Sequence, residues 1–470
     1  MLRKLAKAVL CALVFGATAI DAASVDSAAP ALVVDALPAE VQGWVDVVSA
    51  SGATPALGVA IVRSGQPNLL FTAGETYSGS GQVVDVHTVF RLASVSKGFA
   101  ATLCGLLADA GFLSLQQSVV ELVPGLQLAD PNAATALTLE RLLSHQTGLP
   151  HHTFDMKLEA NAPLIDLIQS LPSVRPACAV GGCYAYQNVM FNVAADAAFG
   201  AVGSFFPVEL TRRVLVPLEM NDTSVGREAL IGGSNWARPH VYARGGWVPV
   251  EPKPTYYQLP AAAGVNASIG DIATWMRAQL GERPDVLPLP VIQMVQTSRI
   301  DTPGELLGPQ WRRQRVRAAG YALGWRVFDY AGSRLVFHAG AVQGYRAMIG
   351  LLPEQGFGVA ILWNSNSGVP AGLLPRILDR QLQLEGPDWL DLNRLQIAAQ
   401  RQVHKPRGEG VLAPRCAVCG AAASRGPRVT APTKSMPYGM FAEVRSLLSV
   451  RLFDAPTGAG PQSCCCRKGR

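Results

Sequence analysis

The sequence predicts an α+β domain in which an antiparallel sheet is flanked by helices and interrupted by a mostly helical region. Apolar runs at residues 57–63 and 69–73 flank the turn sequence Ser64-Gly65-Gln66-Pro67, a pattern typical of a β-hairpin. Apolar residues at helical spacing dominate the middle of the chain, and strand-like runs return after residue 320. Strands at both ends, with helices between them, indicate a single sheet completed by the two ends of the domain.

The elements between the two groups of strands are predicted in chain order. A long apolar helix follows Ser94 and ends near Gly111, and Thr138 is placed to cap a second helix at 139–145. Further helices are expected at 163–171, 189–199 and 207–215. The later strands are expected at 321–330, 335–337, 345–352 and 358–363, and a helix at 372–382 completes the domain.

Ser94-Val95-Ser96-Lys97, at the start of the first long helix, is the most informative short segment. Residues three apart share a helix face, so the Ser94 hydroxyl and the Lys97 amine can touch. A serine needs a neighbouring base to act as a nucleophile, and a desolvated lysine can be that base. Serine and lysine at this spacing also arise by chance, so the pattern alone leaves an ordinary solvated helix end open.

Two later segments add polar residues at places where side chains can meet a cleft. Tyr186-Gln187-Asn188 precedes a helical run, and His338-Ala339-Gly340 ends a β-branched and aromatic run. Each segment also has a purely structural alternative. Tyr186 and Asn188 could be turn and cap residues, and His338 could be packed within a strand.

The patterns Ser-x-x-Lys, Tyr-x-Asn and His-x-Gly, in this order, resemble those of the serine penicillin-recognising hydrolases. That group includes class C β-lactamases, D-Ala-D-Ala carboxypeptidases, D-aminopeptidases and related esterases. The segments at 142–150, 217–220 and 263–268 are similar to this family too, and the resemblance covers about residues 40–395. It implies the β-lactamase/transpeptidase-like fold and acyl-enzyme chemistry that needs no metal and no organic cofactor.

The resemblance also assigns catalytic roles. Ser94 would be the acylated nucleophile and Lys97 its proton acceptor. Tyr186 would act as general base or acid toward the leaving group, with its phenol drawn toward ionisation by Lys97.

Substrate contacts are implied in the same way. Asn188 would bind an amide group of the substrate. The backbone N–H groups of Ser94 and Ala341 would form the oxyanion hole, and Gly340 would let the strand approach the substrate closely.

Two histidines bear on the choice of substrate. Class C β-lactamases carry a lysine at the position of His338, whereas a histidine is mostly neutral near pH 7 and still donates a hydrogen bond. This difference favours peptidases, aminopeptidases or esterases without excluding β-lactams. His152 either lines the substrate cleft or is a packed or surface histidine.

Composition and the absence of rival motifs narrow the function further. With 49% hydrophobic and 16% charged residues the chain is globular in type. Residues 400–470 carry 12 Lys and Arg against 3 Asp and Glu, a net charge of +9, which leaves −3 of the total +6 for the remainder. This distribution does not predict a nucleic-acid-binding face. The chain has no Gly-x-Ser-x-Gly, Walker, Rossmann or His-Glu-x-x-His pattern.

The N-terminus is predicted to be a signal peptide. Basic residues precede an apolar stretch at 8–20, and Ala17-Thr18-Ala19 is a small-residue cleavage site, so residues 1–19 form the signal and 20–39 a spacer. An uncleaved anchor is the alternative. After cleavage no stable membrane span is expected, and the protein would be periplasmic or secreted. Cys178 and Cys183 either close a disulfide or stay as two thiols, and Cys104 is a small core residue.

The domain is predicted to span residues 40–395, followed by a basic, cysteine-containing tail at 396–470. The tail lacks sustained periodicity and is expected to be disordered, with a zinc site at Cys416 and Cys419 as the alternative.

The predicted function is that of an exported serine hydrolase acting on amide or ester bonds of a small-molecule or peptidoglycan-derived substrate. A catalytically silent envelope protein that binds peptidoglycan-type ligands is the alternative. The sequence predicts no nucleic-acid partner, and it gives no oligomeric state.

Overall fold

A computed structural model describes residues 36–403, and its centre is an eight-stranded antiparallel sheet built from both ends of that range. The strands are β1 (Ala56–Arg63), β2 (Leu69–Gly74), β3 (Val89–Arg91), β4 (Ser224–Val225), β5 (His240–Ala243), β6 (Gly246–Pro249), β7 (Val265–Ser268), β8 (Ile300–Asp301), β9 (Val316–Tyr321), β10 (Arg326–Tyr330), β11 (Ser333–Val342), β12 (Tyr345–Leu352) and β13 (Phe357–Trp363). The order across the large sheet is β2-β1-β13-β12-β11-β10-β9-β8, and two small sheets have the orders β3-β7-β4 and β5-β6. The predicted antiparallel sheet, completed by both ends of the domain, is therefore confirmed.

Helices cover both faces of the large sheet and fill the region between β3 and β8. They are α1 (Leu37–Ala50), α2 (Ser96–Asp109), α3 (Val119–Leu122), α4 (Pro131–Ala136), α5 (Leu139–Leu143), α6 (Asp155–Glu159), α7 (Leu164–Gln169), α8 (Val189–Val202), α9 (Phe206–Leu210), α10 (Arg227–Ile231), α11 (Pro260–Ala263), α12 (Ile269–Gln279), α13 (Leu289–Gln296), α14 (Gln310–Arg315), α15 (Leu373–Gln381) and α16 (Leu392–Val403). A 3₁₀ turn, Ala93–Val95, leads into α2.

The large sheet separates two apolar cores, and β1 supplies side chains to both. Ala60 and Val62 pack into the core that contains α2, α8 and α12, whereas Val59 and Ile61 pack into the core under α1, α15 and α16. Successive side chains of a strand point to opposite faces, so a strand buried on both faces is apolar throughout. Every residue of β13 is buried for the same reason.

The long helix α2 lies deep in the larger core, which fixes the position of the turn at its start. Phe99 stacks on Trp275 with ring centroids 4.1 Å apart. A side chain at Gly98 would bring its Cβ to 2.6 Å from the Trp325 ring, so the glycine permits this close approach. Cys104 is buried in the same core, as predicted.

Two strand predictions differ from the structure. The segment predicted as one strand at 321–330 forms two, β9 and β10, because the chain reverses at Gly324, where φ is +70°. Glycine adopts that left-handed conformation without steric cost. The strand predicted at 335–337 runs on to Val342, because pairing with β12 continues as far as Tyr345.

At the C-terminal end, α16 crosses the domain boundary predicted at residue 395. It lies against α1, and Leu395 is buried in the smaller core. The predicted signal peptide at 1–19, most of the predicted spacer and the tail beyond residue 403, with Cys416 and Cys419, lie outside the described residues.

Two further features bear on the cysteines and on a possible membrane span. Cys178 and Cys183 form a disulfide, the first of the two alternatives left open by the sequence. Within residues 36–403, no single helix has both the length and the apolar composition to cross a membrane. One bent pair meets those two criteria when its members are taken together. It consists of α8 and of α9 with the π-helical turn Thr211–Leu215 that continues it.

Candidate active site

Ser94 lies in the 3₁₀ turn between β3 and α2, at the junction of the sheet and the helical region. The turn begins at Ala93, whose φ of +49° is uncommon for a residue with a side chain. The Ser94 hydroxyl oxygen lies 3.3 Å from the Lys97 amine nitrogen. The structure therefore brings together the serine and lysine that the sequence pairs on one helix face.

Lys97 is fully buried, and its amine nitrogen has two further polar neighbours. Asn188 Oδ1 lies 2.7 Å from Nζ, and the carbonyl oxygen of Ala262 lies 3.1 Å from it. Burial lowers the pKa of Lys97 well below its usual value, and this effect exceeds the opposing influence of the Asp155 carboxylate. When the amine is neutral, its two N–H groups bind these two oxygens and its lone pair remains for the Ser94 hydroxyl proton.

Tyr186 lies beside the same amine, with the centroid of its ring 4.7 Å from Lys97 Nζ. Burial is the largest influence on the phenol and raises the pKa of Tyr186 to about 12, with Arg326 and the Ser94 hydroxyl acting in the opposite direction. The expected ionisation by Lys97 is therefore not what the structure favours, since burial disfavours the charged phenolate. A protonated phenol next to Ser94 is suited to donating a proton.

Asn188 makes contacts within the protein through both ends of its amide and also lines the cavity in front of Ser94, so its predicted contact with substrate stays a prediction. Its Oδ1 faces Lys97, and its Nδ2 donates to Asp155 Oδ2 at 2.7 Å. The same carboxylate oxygen lies 2.7 Å from His152 Nδ1. A chain of polar contacts therefore leads from Lys97 through Asn188 and Asp155 to His152.

His152 is the last residue of this series of polar contacts, at the end that faces the cavity. Its side chain is 58% exposed, and it lines the cavity in front of Ser94. The hydrogen bond to Asp155 raises the pKa of His152. His152 therefore borders the cavity and is also a surface residue, so its contact with substrate stays a prediction.

His338 is buried, and this contradicts its predicted contact with substrate. Its Nδ1 donates to the carbonyl of Ala339 at 2.9 Å, so the proton lies on that nitrogen. Its Nε2 lies 3.2 Å from both Arg326 Nη1 and the Tyr321 hydroxyl. Burial lowers the pKa of His338 well below its usual value, and Arg326 acts in the same direction. The side chain points into the protein, so a neutral His338 offers the substrate no donor.

Gly340 and Ala341 occupy the stretch of β11 that passes the Ser94 turn. A Cβ at Gly340 would lie 2.0 Å from the carbonyl oxygen of Leu92 and 3.1 Å from the Ser94 nitrogen. The glycine therefore lets the strand lie directly against the turn. The close approach that the sequence analysis predicted was toward the substrate, whereas the one observed is toward the Ser94 turn. Ala341 is exposed and lines the cavity. The oxyanion hole at Ser94 and Ala341 stays a prediction.

The cavity in front of Ser94 has a volume of about 500 Å³ and contains charged residues that no sequence motif identified. Arg326 is one of them, and its Nε lies 3.3 Å from Glu305 Oε1. Glu305 also binds Arg312, so the carboxylate is held between two guanidinium groups. Asp155 and Glu159 are further charged groups that the motifs did not identify. Asp155 begins α6, Glu305 lies in a 3₁₀ turn and Arg326 begins β10, all far from Ser94 in sequence, where periodicity gives no signal.

A buried histidine holds the Tyr186 segment in place. His145 Nδ1 accepts from the backbone N–H of Gln187 at 3.2 Å, and the His145 carbonyl accepts from Ala185 at 3.0 Å. Its Nε2 lies 3.1 Å from the Tyr321 hydroxyl. The family-like segment at 142–150 thus positions the residues on both sides of Tyr186. In the part of the chain that the structure describes, no cluster of three His, Cys, Asp or Glu side chains could hold a metal ion.

The sheet, the helical region and a serine–lysine pair at their junction define the β-lactamase/transpeptidase-like class of proteins. The family model described as Beta-lactamase matches residues 41–383, and the chain belongs to this family.

Curated relatives agree with this assignment. The Unguisins hydrolase ungD' of Aspergillus campestris is 26% identical over 336 residues, which are 68% of this chain and 61% of the relative. The Penicillin-binding protein 4 of Amycolatopsis lactamdurans is 27% identical over 320 residues, which are 66% of this chain and 81% of the relative. The chain spans only 61% and 59% of the lengths of two Unguisins hydrolases.

Solved structures share the fold. The octameric penicillin-binding protein homologue from Pyrococcus abyssi superposes with a TM-score of 0.65 at 21% identity, covering 74% of this chain and 78% of that one. The D-amino acid amidase from Ochrobactrum anthropi SV3 superposes with a TM-score of 0.60 at 19% identity, covering 73% of this chain and 98% of that one.

Proposed function

We propose that the protein is a serine hydrolase that cleaves amide or ester bonds through an acyl-enzyme on Ser94. One observation carries this proposal: the amine of Lys97 lies 3.3 Å from the Ser94 hydroxyl at a fully buried position. Burial lowers the pKa of Lys97 and so favours the neutral amine, the form that can accept a proton. Membership of the beta-lactamase family and curated relatives named as hydrolases support the same conclusion.

Acylation begins when the Ser94 oxygen attacks the carbonyl carbon of the substrate. As the O–C bond forms, the hydroxyl proton passes to the lone pair of Lys97 and the carbonyl oxygen becomes an oxyanion. The two N–H groups that bind Asn188 and the Ala262 carbonyl keep the amine oriented toward Ser94.

The leaving group departs when its bond to the carbonyl carbon breaks and it receives a proton. Tyr186 is the proposed donor, because burial keeps its phenol protonated and the proton on Lys97 can replace the one it gives up. A water oxygen then attacks the acyl carbon, and one proton of the water passes to this pair. The bond between the acyl carbon and Ser94 Oγ breaks, the pair passes that proton to the serine oxygen, and the acid leaves.

The substrate classes proposed for this site are β-lactams, D-amino-acid peptides and esters. Arg326 and Asp155 both line the cavity, which therefore offers both signs of charge to a polar substrate. A panel of nitrocefin, short acyl esters and D-amino-acid peptides would rank these classes.

The test is the intact mass of the protein after exposure to a β-lactam and to an activated ester. We expect an acyl adduct with at least one reagent, located on Ser94 by peptide mapping, and no adduct in Ser94→Ala. Ser173→Ala is the matched control, because Ser173 is exposed and its hydroxyl bonds only to the nearby Ser170 carbonyl. A catalytically silent binding protein would gain no adduct with either reagent, and that result would overturn the proposal.

We also propose that the protein is exported. The signal-like sequence at 1–19 supports this, and so does the Cys178–Cys183 disulfide, since disulfides persist in oxidising compartments. Protein recovered outside the cytoplasm should begin at residue 20 by N-terminal sequencing. A chain that starts at Met1 would indicate an uncleaved anchor.

A further inference from the structure

We propose that a second cavity, adjoining the catalytic one, is an anion subsite that binds a carboxylate of the substrate. The cavity has a volume of about 390 Å³, and its wall carries the cationic side chains of Arg91, Lys253 and Arg346. This inference rests on the proposed hydrolase function, because it names the class of substrate that the same site takes.

Arg91 is the most unusual of these cations, since it is only 2% exposed. Its guanidinium carbon lies 3.5 Å from the centroid of the Tyr257 ring, and its Nη1 donates to the Lys253 carbonyl at 3.3 Å. Its Nε and Nη2 have no hydrogen-bond partner among the described residues. Burial lowers the pKa of Arg91, yet an arginine in a protein keeps its charge.

A buried cation without a counter-ion is energetically costly. In the described range, no carboxylate forms an ion pair with Arg91, Lys253 or Arg346. Arg346 is instead oriented by backbone oxygens: its Nη1 donates to the carbonyls of Val342 at 2.7 Å and Tyr345 at 2.8 Å. An anion in the cavity would supply the missing charge.

Glu159 is the one carboxylate that faces this cavity from the described chain. Its Oε1 accepts from the Tyr256 hydroxyl at 3.0 Å, and the glutamate is exposed. Three cations against one carboxylate leave the wall with a formal charge of +2. The electrostatic field of the cavity therefore favours an anionic ligand over a neutral or cationic one.

The two cavities share a wall, which connects the anion subsite to the reaction centre. Glu159, Tyr256, Ala341 and Val342 line both of them. A substrate whose carbonyl meets Ser94 can therefore extend past Ala341 and place a carboxylate among the three cations. His338 is buried and neutral and contributes no positive charge to the cleft, whereas the second cavity carries a net positive wall.

The substrate class that follows is an amide or ester with a carboxylate a few bonds from the scissile carbonyl. The matched probes are 4-nitrophenyl hydrogen glutarate and the corresponding methyl ester, which differ only in the charge of the distal group. We expect wild-type protein to hydrolyse the acidic ester with a kcat/KM about tenfold higher, mainly through a lower KM. Added salt should reduce this preference, because ions screen it.

Variants localise the effect. Lys253→Gln is the variant least able to disturb folding, since Lys253 is exposed. Arg346→Gln and Arg91→Lys are tested after circular dichroism has shown that each variant folds. Each should reduce the ratio of kcat/KM for the acidic ester to that for the neutral ester by about threefold or more. Arg317→Gln, an exposed cation away from both cavities, should leave the ratio unchanged. An equal rate with both esters, or a ratio that Lys253→Gln and Arg346→Gln do not alter, would overturn the inference.

A binding experiment separates this inference from the proposed hydrolase function. Free glutarate should raise the melting temperature of wild-type protein and have less effect on the Lys253→Gln variant, as ligand linkage requires. If neither ester is cleaved and no adduct forms with a β-lactam, but glutarate binds in this way, the hydrolase function fails and the anion subsite stands. If esters are cleaved but glutarate has no effect, the anion subsite is wrong.

Discussion

A neutral Lys97 amine has two N–H groups and one lone pair, and each of the three faces a different neighbour. Asn188 and the Ala262 carbonyl take the two N–H groups, so the lone pair faces Ser94. Burial lowers the pKa of Lys97, whereas the Asp155 carboxylate acts to raise it. The balance between these two effects sets the pH at which the base becomes active.

The first prediction concerns this balance. Asp155→Asn removes the negative charge that raises the pKa of Lys97 but keeps an oxygen to accept from Asn188. A lower Lys97 pKa means that the neutral amine forms at lower pH, so the acid limb of the acylation rate should move to lower pH by on the order of one unit. The measurement is the pH dependence of ester acylation by stopped flow.

The control for this prediction is Asp166→Asn, which removes an exposed carboxylate that does not line the cavity. Its pH profile should match that of the wild type. A shift to higher pH in Asp155→Asn would mean that Asp155 does not act on Lys97 through its charge.

The second prediction concerns the proton path between Lys97 and Tyr186. Lys97→Ala and Tyr186→Phe should each slow acylation by on the order of a hundredfold or more, because each removes a proton-transfer partner. Lys97→Met, which fills the buried site, separates loss of the base from loss of packing. Single-turnover acylation rates provide the measurement.

The double variant tests whether the two residues share one path. Groups that act as a unit give non-additive losses, so the double variant should be little slower than the slower single variant. Rates that multiply fully would show two independent contributions instead.

At the scale of elements, the site depends on how closely β11 approaches the turn before α2. The contact occurs where the backbone of Gly340 meets the backbone of Leu92 and Ser94. The burial of α2 fixes one side of this contact and the pairing of β11 with β12 fixes the other. The geometry of the reaction centre is therefore set by the packing of α2 and by the pairing of β11 with β12.

The third prediction follows from this contact. Gly340→Ala would place a Cβ 2.0 Å from the Leu92 carbonyl oxygen, so the strand and the turn must move apart. Overpacking of this kind costs about 1–3 kcal/mol of unfolding free energy, and the separation should also slow acylation. Denaturant unfolding and the adduct assay measure the two effects.

Gly43→Ala serves as the matched control. Gly43 is an exposed position of α1, and a Cβ added there would have no other atom within 4 Å. Alanine is favoured over glycine in a helix, so this variant should be stabilised by about 0.5–1 kcal/mol with unchanged acylation. Wild-type stability and activity in Gly340→Ala would contradict the proposed role of the contact.

At the scale of the whole molecule, the described residues form two hydrophobic cores, and α16 packs against the smaller one. Leu390 and Leu395 are buried there, next to α1. The domain therefore needs more of its C-terminal part than the sequence-based boundary at 395 implied. A boundary after Val403 keeps the whole helix.

The fourth prediction compares two truncations. A chain ending at residue 403 should keep the melting temperature and ester hydrolysis of the full chain, because both cores remain complete. A chain ending at residue 391 loses Leu395 from the core and should be destabilised by about 2–5 kcal/mol, the usual cost of losing a buried leucine. Melting by circular dichroism and ester hydrolysis are the measurements.

The two truncations also test the sequence-based interpretation of the tail. A loss of several degrees in the chain ending at 403, or zinc-dependent stability of the full chain, would show that residues beyond 403 contribute to the fold. Equal stability of both truncations would show that α16 is dispensable.

The sequence by itself determined the N-terminal hairpin, several helices between α2 and α9, most of the C-terminal strands and the Ser94–Lys97 pair, whereas it identified neither α1 nor α12. The predicted elements and the pair depend on interactions within a few residues: strands repeat every two residues, helices every 3.6, and residues three apart share a helix face. The same local reasoning failed at 321–330, where a turn at Gly324 interrupts what looks like one apolar strand. It also failed at α16, whose few buried residues give only a weak helical pattern.

Only the tertiary structure decided what surrounds that pair. Sequence reasoning assigned His338 to the substrate, but the fold buries it within the protein, and Asn188 gained two partners there that the sequence did not predict. The fold also brought Asp155 and Arg326 into the cavity and grouped the cations beside Arg91, none of which a motif identified. These contacts join residues far apart in the chain, so their pKa values and their access to substrate depend on how separate elements pack. No short segment contains that information.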